Sequence, residues 1–101
     1  MAHEFTVEFE EQDGGPEPAL RGRFGVVASR RLGKLEGDGH PYPRAGDDFE
    51  FMDAFEGPFI WEMTDAQLEQ TPPTLVSAQV VSVDPVEETD GPVRVVARVQ
   101  F

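Results

Sequence analysis

The chain contains no cysteine among its 101 residues. This absence excludes disulfides, thiolate nucleophiles and cysteine-ligated zinc or iron–sulfur centres. Basic residues are also scarce, since 8 Lys and Arg stand against 20 Asp and Glu, for a net charge of -12. Such acidity opposes binding to the phosphates of nucleic acid and to anionic lipid. We therefore expect no membrane partner, disfavour nucleic acid, and favour a basic protein as the partner.

Long apolar runs are absent as well, and no segment approaches the roughly 20 apolar residues that a transmembrane helix requires. Residues 1–11 carry acids where a secretory signal needs a basic start followed by an apolar run. We therefore expect a cytoplasmic protein. The chain also has no Gly-x-x-x-x-Gly-Lys-Ser/Thr phosphate loop and no calcium-binding loop, and we expect no cofactor, no metal and no enzymatic activity.

Alternating apolar and polar residues predict strands at both ends of the chain. The alternation in residues 3–12 is typical of a strand with one buried face. Residues 75–83 and 93–101 alternate in the same way on either side of an Asp-Gly turn, and they predict a hairpin. If the first and last strands are neighbours, Arg94 and Arg98 lie opposite glutamates of the first strand and pair with them.

The middle of the chain predicts three further strands and one helical turn. Residues 20–32 are apolar enough for a strand, which two glycines would bend or bulge. Residues 48–52 and 59–63 each place aromatic side chains on one face of a strand. Thr64 followed by Gln67 fits a capping box at the start of a short helix.

Together these elements indicate an all-β fold. A chain of this length fits one domain with a single small core. We predict a small β-barrel of about six strands with one short helical turn, in which residues 1–101 form a single β-barrel domain.

The chain reads Arg-Gly-Arg-Phe-Gly-Val-Val at 21–27, Ala-Gly-Asp-Asp-Phe-Glu-Phe at 45–51 and Ser-Ala-Gln-Val-Val-Ser-Val at 77–83. These motifs resemble the second-domain β-barrel of translational GTPases (the elongation factor Tu-like barrel), where a Gly-Arg-Gly-x-Val-Val strand leads to a Val-Gly-Asp strand. The resemblance implies a barrel topology and suggests, as an alternative function, a ribosome- or RNA-associated role. It implies no GTPase activity, because the phosphate loop is missing.

A mixture of aromatic and acidic residues in the second half of the chain indicates a protein-binding surface. An aromatic anchor surrounded by carboxylates would bind a basic protein partner. The competing interpretation places most of the aromatic side chains in the core. We expect a non-enzymatic acidic binding module of the inhibitor, immunity or accessory-subunit type. The residues that we expect to bind the partner are Phe55, Glu56, Trp61, Glu62 and Asp65. A free sheet edge would also allow a homodimer.

Most of the few basic residues form a basic island that contains no acid: Arg21, Arg23, Arg30, Arg31 and Lys34. The basic island is the alternative site, for an anion or for RNA, although the charge of the whole molecule would oppose nucleic acid. The competing interpretation is that these side chains neutralise acids of the same molecule.

A third candidate is a small hydrolase or metal enzyme built on Asp38, His40 and Tyr42, which could share a metal or an acid–base role. No second histidine stands at a ligand spacing. The competing interpretation packs Tyr42 against the barrel and leaves His40 in water. The acidity also has an alternative explanation, adaptation to a salty cytoplasm without any partner.

Overall fold

The computed structural model describes residues 4–15, 17–37, 42–87 and 91–100, without the side chains of residues 34–37. The described residues form four strands and two α-helices, with one 3₁₀ turn between the helices. In chain order they are β1 (Phe5–Phe9), α1 (Pro18–Gly37), β2 (Asp48–Asp53), the 3₁₀ turn (Ile60–Glu62), α2 (Asp65–Gln70), β3 (Thr74–Asp84) and β4 (Val93–Gln100).

The four strands form one mixed sheet in the order β1-β4-β3-β2, curved into an open half-barrel. The N-terminal strand β1 runs parallel to β4, with Phe5 opposite Val93. The pairs of β4 with β3 and of β3 with β2 are antiparallel, and the register of β3 shifts between Val80 and Ser82. The predicted N-terminal strand, the strand over 48–52 and the C-terminal hairpin are therefore confirmed.

The predicted all-β barrel is wrong, because residues that we assigned to a strand form the 20-residue helix α1. The buried residues Leu32, Ala28 and Phe24 of this helix are spaced four apart, which is the repeat of one helix face. Pro18 begins the helix, where a missing backbone N–H costs nothing. No helix in the described part of the chain is long and apolar enough to cross a membrane.

Gly25 belongs in the helix because α1 crosses β1 at this point. A β-carbon at Gly25 would lie 2.5 Å from the carbonyl oxygen of Val7. Ser29, one turn later, accepts a hydrogen bond from the Val7 backbone N–H at 2.8 Å and donates one to the Gly25 carbonyl at 2.6 Å. The glycine that suggested a strand bulge instead allows the helix to approach the backbone of β1 closely, and α1 covers the outer edge of that strand.

The segment 59–63 is a second correction, since it is not a strand. Its middle forms the 3₁₀ turn, in which Glu62 N donates to Phe59 O at 2.8 Å. The capping box that follows is confirmed. Thr64 Oγ1 accepts from Gln67 N at 3.3 Å, and Gln67 Oε1 accepts from Thr64 N at 2.8 Å, so both ends of the motif are satisfied at the start of α2.

The core lies between α1 and one face of the sheet. Phe24 of the helix is 2% exposed, and its ring meets Phe51, Phe55 and Phe9 at centroid distances of 5.4–6.1 Å. Small and β-branched residues of β3 and β4 complete this core, and Val95, Ala97 and Ala78 are fully buried. Aromatic packing by Phe24 therefore joins the helix to three separate segments of the chain.

The opposite face of the sheet carries charged residues of β1 and β4, as the alternation predicted. Arg94 pairs with Glu8, and Arg98 pairs with Glu10 at 2.9 Å. These cross-strand ion pairs confirm that β1 and β4 are neighbours. Because the four side chains are largely exposed, each pair stabilises the fold by less than about 1 kcal/mol.

Candidate functional site

A buried ion pair joins α1 to the end of β2. Arg23 Nε donates to Asp53 Oδ2 at 2.7 Å, and the exposed fractions of the two side chains are 15% and 0%. The other carboxylate oxygen, Oδ1, is buried and has no hydrogen-bond partner among the described residues. A buried carboxylate needs its counterion, because transfer of an unpaired charge from water costs on the order of several kcal/mol.

The same arginine also holds the loop that follows β2. Arg23 Nη1 donates to the carbonyl of Gly57 at 2.7 Å, and Nη2 donates to Pro58 at 3.1 Å and to Glu56 at 3.4 Å. One guanidinium therefore contacts a carboxylate and three successive carbonyls. The planar group with several fixed donors suits this task better than a lysine would.

Two arginines and two aromatic rings continue this contact along the helix. The Arg23 guanidinium lies 4.8 Å from the centre of the Phe59 ring. Phe59 stacks on Trp61, with 4.7 Å between ring centroids and 14° between ring planes. Arg30, two turns further along α1, lies 4.5 Å from the Trp61 ring centre. Cation–π contacts with Arg23 and Arg30 thus hold the stacked rings of Phe59 and Trp61 against the helix.

Phe55 stands in this loop with an unusual backbone. Its φ is +69°, and Gly57 follows with a φ of +72°. An aromatic residue rarely adopts this left-handed region because its β-carbon crowds the backbone. The Phe55 ring packs edge-on against Phe24 at 5.4 Å, while 38% of the residue stays exposed. Contacts of the ring with the core therefore hold a conformation that is locally unfavourable.

The residues predicted to bind a partner lie on the loop after β2, on the 3₁₀ turn and at the first residue of α2. Glu56, Glu62 and Asp65 are exposed, and none of them forms an ion pair within the part of the chain that the structure describes. Trp61 is half-buried in the stack, and Phe55 is divided between core and solvent. We call these five residues, Phe55, Glu56, Trp61, Glu62 and Asp65, the aromatic–acidic surface.

The structure separates the members of the basic island. Arg23 is used inside the molecule, and Arg21 is half-buried on the same helix. Arg30 and Arg31 are exposed beside Trp61 and the β2 edge, where Arg31 Nε donates to the Glu50 carbonyl at 3.4 Å. The side chain of Lys34 lies outside the described residues. The helix thus presents two adjacent arginines to solvent and directs Arg23 inward.

The third candidate site falls mostly outside the described residues, since Asp38 and His40 lie there. Tyr42 is described, and its hydroxyl donates to the Pro85 carbonyl at 2.7 Å while its ring lies 6.4 Å from that of Phe5. Tyr42 therefore packs against the core, as the competing interpretation expected. Among the described residues no cluster of three or more His, Asp or Glu side chains is placed to hold a metal ion.

Sequence reasoning missed the role of Asp53 as the buried partner of an arginine. A signal was present, because Phe49, Phe51 and Asp53 occupy alternate positions and so share the face of β2 that meets the helix. A carboxylate on such a face requires a cation from elsewhere in the chain. Arg23, thirty residues earlier, is that cation.

No protein-family model, curated protein or solved structure matches the chain.

Proposed function

We propose that this chain is a non-enzymatic protein-binding domain, which recognises a basic protein through the aromatic–acidic surface. The observation that carries the proposal is that the carboxylates of this surface, Glu56, Glu62 and Asp65, are exposed and form no ion pair within the described residues. Arg23 holds the loop that carries Glu56. A basic partner would supply the missing counterions.

The fixed loop supports this proposal energetically. Binding costs free energy when side chains and loops must become ordered, and a surface that is already ordered avoids part of that cost. Trp61 is stacked between Phe59 and Arg30 before any partner arrives. Aromatic residues of this kind, surrounded by polar groups, are the residues that most often dominate binding energy in protein interfaces.

The net charge of -12 gives the proposed association a kinetic signature. Opposite charges on two proteins accelerate their encounter, and dissolved salt screens the attraction. The association rate with a basic partner should therefore fall steeply as salt rises.

We place the domain in the cytoplasm. A chain without cysteine has no disulfide that the reducing conditions of this compartment could break.

The experiment begins with the immobilised protein, which is exposed to native lysate at low salt and eluted with a salt gradient. We expect one basic protein to be retained in stoichiometric amount. The complex is then rebuilt from the two purified proteins, so that rate constants can be measured. Trp61→Ala should raise the dissociation constant at least about tenfold, the loss typical of a central aromatic contact.

A matched pair of variants separates the site from the overall charge. Glu56→Gln/Glu62→Gln should slow association several-fold at low salt, because it removes charges at the contact. Glu11→Gln/Glu87→Gln makes the same chemical change at two exposed positions elsewhere and should alter the rate much less. If no basic protein is retained, or if both double variants slow association equally, the proposed site is wrong.

A further inference from the structure

An open groove of about 630 Å³ lies on the other side of Trp61, between α1 and the free edge of β2. Arg30 and Arg31 line it from the helix, Met52 and Glu50 from the strand, and Trp61 from the 3₁₀ turn. Its volume is within the usual range for clefts that bind a ligand. The groove shares Trp61 with the aromatic–acidic surface, and its other lining residues lie outside that surface.

The two edges of the sheet differ in the structure. At the β1 edge, the Val7 N–H is bonded to Ser29 and the Val7 carbonyl faces Gly25 at close range, so α1 occupies that edge. At the other edge, β2 is the last strand, and no further strand pairs with it in the described part of the chain. In the described part of the chain, α1 therefore covers one edge of the sheet, and the other edge has no strand beside it, although Arg31 Nε donates to its Glu50 carbonyl.

The backbone of β2 can accept another strand. Val80 N donates to Asp47 O, and in an antiparallel ladder successive residues turn their polar groups alternately toward and away from the partner. Asp48, Glu50 and Met52 therefore turn theirs outward, in agreement with the Arg31 contact to the Glu50 carbonyl. Open strand edges of this kind bind extended peptides by backbone hydrogen bonds.

The positive charge of the groove indicates that such a peptide carries carboxylates. Arg23, Arg94 and Arg98 each hold a carboxylate. Arg30 and Arg31 hold none within the described residues, although the chain has 20 acids. The Arg30 guanidinium lies over the Trp61 ring, an arrangement that leaves its N–H groups available for acceptors in its own plane. A carboxylate on the helix side of the groove would pair with both arginines.

The outer side of the same edge is apolar. Met52 and Leu75 lie directly opposite each other on neighbouring strands and are 37% and 54% exposed. The Glu50 carboxylate lies on the same side, where it would repel an acid. Because the side chains of an added strand alternate between the two sides, the groove favours a peptide with acids facing the helix and apolar residues facing outward.

We propose that the groove binds an extended segment of a partner protein, in which acidic and apolar residues alternate, as a fifth strand on β2. Arg30 and Arg31 hold its carboxylates, Met52 and Leu75 contact its apolar side chains, and the outward backbone groups of β2 hydrogen-bond to it. This inference does not depend on recognition of a basic protein, and either proposal can fail alone.

A displayed library of random twelve-residue peptides, selected on the immobilised protein, tests the proposal without knowledge of the partner. We expect enriched peptides that alternate acidic and apolar residues. The best one is then synthesised and titrated. Trp61 is the only tryptophan in the chain, so its fluorescence reports occupation of the groove. No enrichment, or enrichment of peptides without acids, would overturn the proposal.

Variants locate the contact. Arg30→Gln/Arg31→Gln should weaken binding of the selected peptide by at least about tenfold, because two charge-assisted hydrogen bonds are lost. Arg94→Gln/Arg98→Gln makes the same change of charge on the far face and should leave binding unchanged. Leu75→Glu alters only an exposed residue of β3, and it should weaken binding to a similar degree by placing an acid on the apolar side.

Backbone methylation of the peptide tests addition of a strand. A methyl group on a peptide nitrogen blocks its hydrogen bond. Two peptides are compared, one methylated at every odd position and one at every even position. The peptide whose methylated nitrogens face β2 should lose binding, and the other should retain it. Equal effects of methylation at the odd and at the even positions would overturn the strand geometry. Two further results would also overturn the proposal. One is binding of single-stranded poly(U) RNA at Arg30 and Arg31 with no peptide enriched, and the other is a dimer of this chain that Arg30→Gln/Arg31→Gln dissociates.

Discussion

Arg23 Nε donates to Asp53 Oδ2 at 2.7 Å, and this contact joins the second turn of α1 to the last residue of β2. The pair is buried on the carboxylate side and continues into hydrogen bonds with the loop over residues 56–58. It therefore links the core of the fold to the surface for which we propose a function.

Replacement of Arg23 by methionine should lower the free energy of unfolding by about 3–5 kcal/mol, because Asp53 then remains buried without a counterion. Arg94→Met is the matched control, since it breaks an exposed ion pair and should cost less than about 1 kcal/mol. Urea denaturation with a common slope measures both values. Arg23→Met/Asp53→Leu should recover most of the loss, and equal losses for Arg23→Met and Arg94→Met would contradict this account.

Two glycines of the same helix should respond oppositely to alanine. At Gly25 the new β-carbon would lie 2.5 Å from the Val7 carbonyl oxygen, and separation of helix and strand should cost about 1–3 kcal/mol. At Gly22 nothing lies within 4 Å of the new β-carbon, so alanine should stabilise the helix by about 0.5–1 kcal/mol. Thermal and urea unfolding of both variants check the signs, and stabilisation by Gly25→Ala would refute the close approach.

Ser29→Ala should destabilise the fold by about 1–3 kcal/mol, because the Val7 N–H loses its acceptor at the covered edge of the sheet. Ser77→Ala is the control, since Ser77 lies in β3 and makes no side-chain hydrogen bond within the described residues. Amide hydrogen exchange gives a local readout. In Ser29→Ala, the protection of the Val7 amide should fall by more than the change in the free energy of global unfolding explains. Unchanged protection of this amide would argue against the hydrogen bond.

Phe55 allows a test of backbone strain by comparison of two variants. Phe55→Ala and Phe55→Gly both lose the ring contact with Phe24, but only glycine adopts the φ of +69° without steric cost. The glycine variant should therefore be more stable than the alanine variant by about 1–2 kcal/mol. The difference between their urea midpoints measures this value. Equal midpoints, or a more stable alanine variant, would contradict the positive φ.

Local sequence patterns predicted much of the sheet. The period of two in β1, β3 and β4, and the aromatic alternation in β2, each lie within a few consecutive residues, so no distant contact is needed to recognise them. The Thr64 capping box is equally local. The pairing of Arg94 and Arg98 with glutamates followed from the correct assumption that the first and last strands are neighbours.

The helix α1 and the candidate site were harder to predict, for a shared physical reason. Gly22 and Gly25 disfavour a helix by their intrinsic propensity, and contact between α1 and β1 overrides that preference at Gly25. The 3₁₀ turn likewise depends on the stack of Phe59 and Trp61 against arginines of α1. In both cases the deciding contacts join segments that are far apart in the chain.

The sequence by itself determined the large negative charge, the chemistry that the absence of cysteine excludes, and the strands whose side chains alternate. Only the tertiary structure decided which charges are available. It buried Asp53 against Arg23, and it left Arg30 and Arg31 beside the β2 edge with no carboxylate from the described residues. Composition gives the number of charged residues but not which of them form ion pairs. Ion pairing depends on which distant segments the packed core brings within a few ångströms of each other.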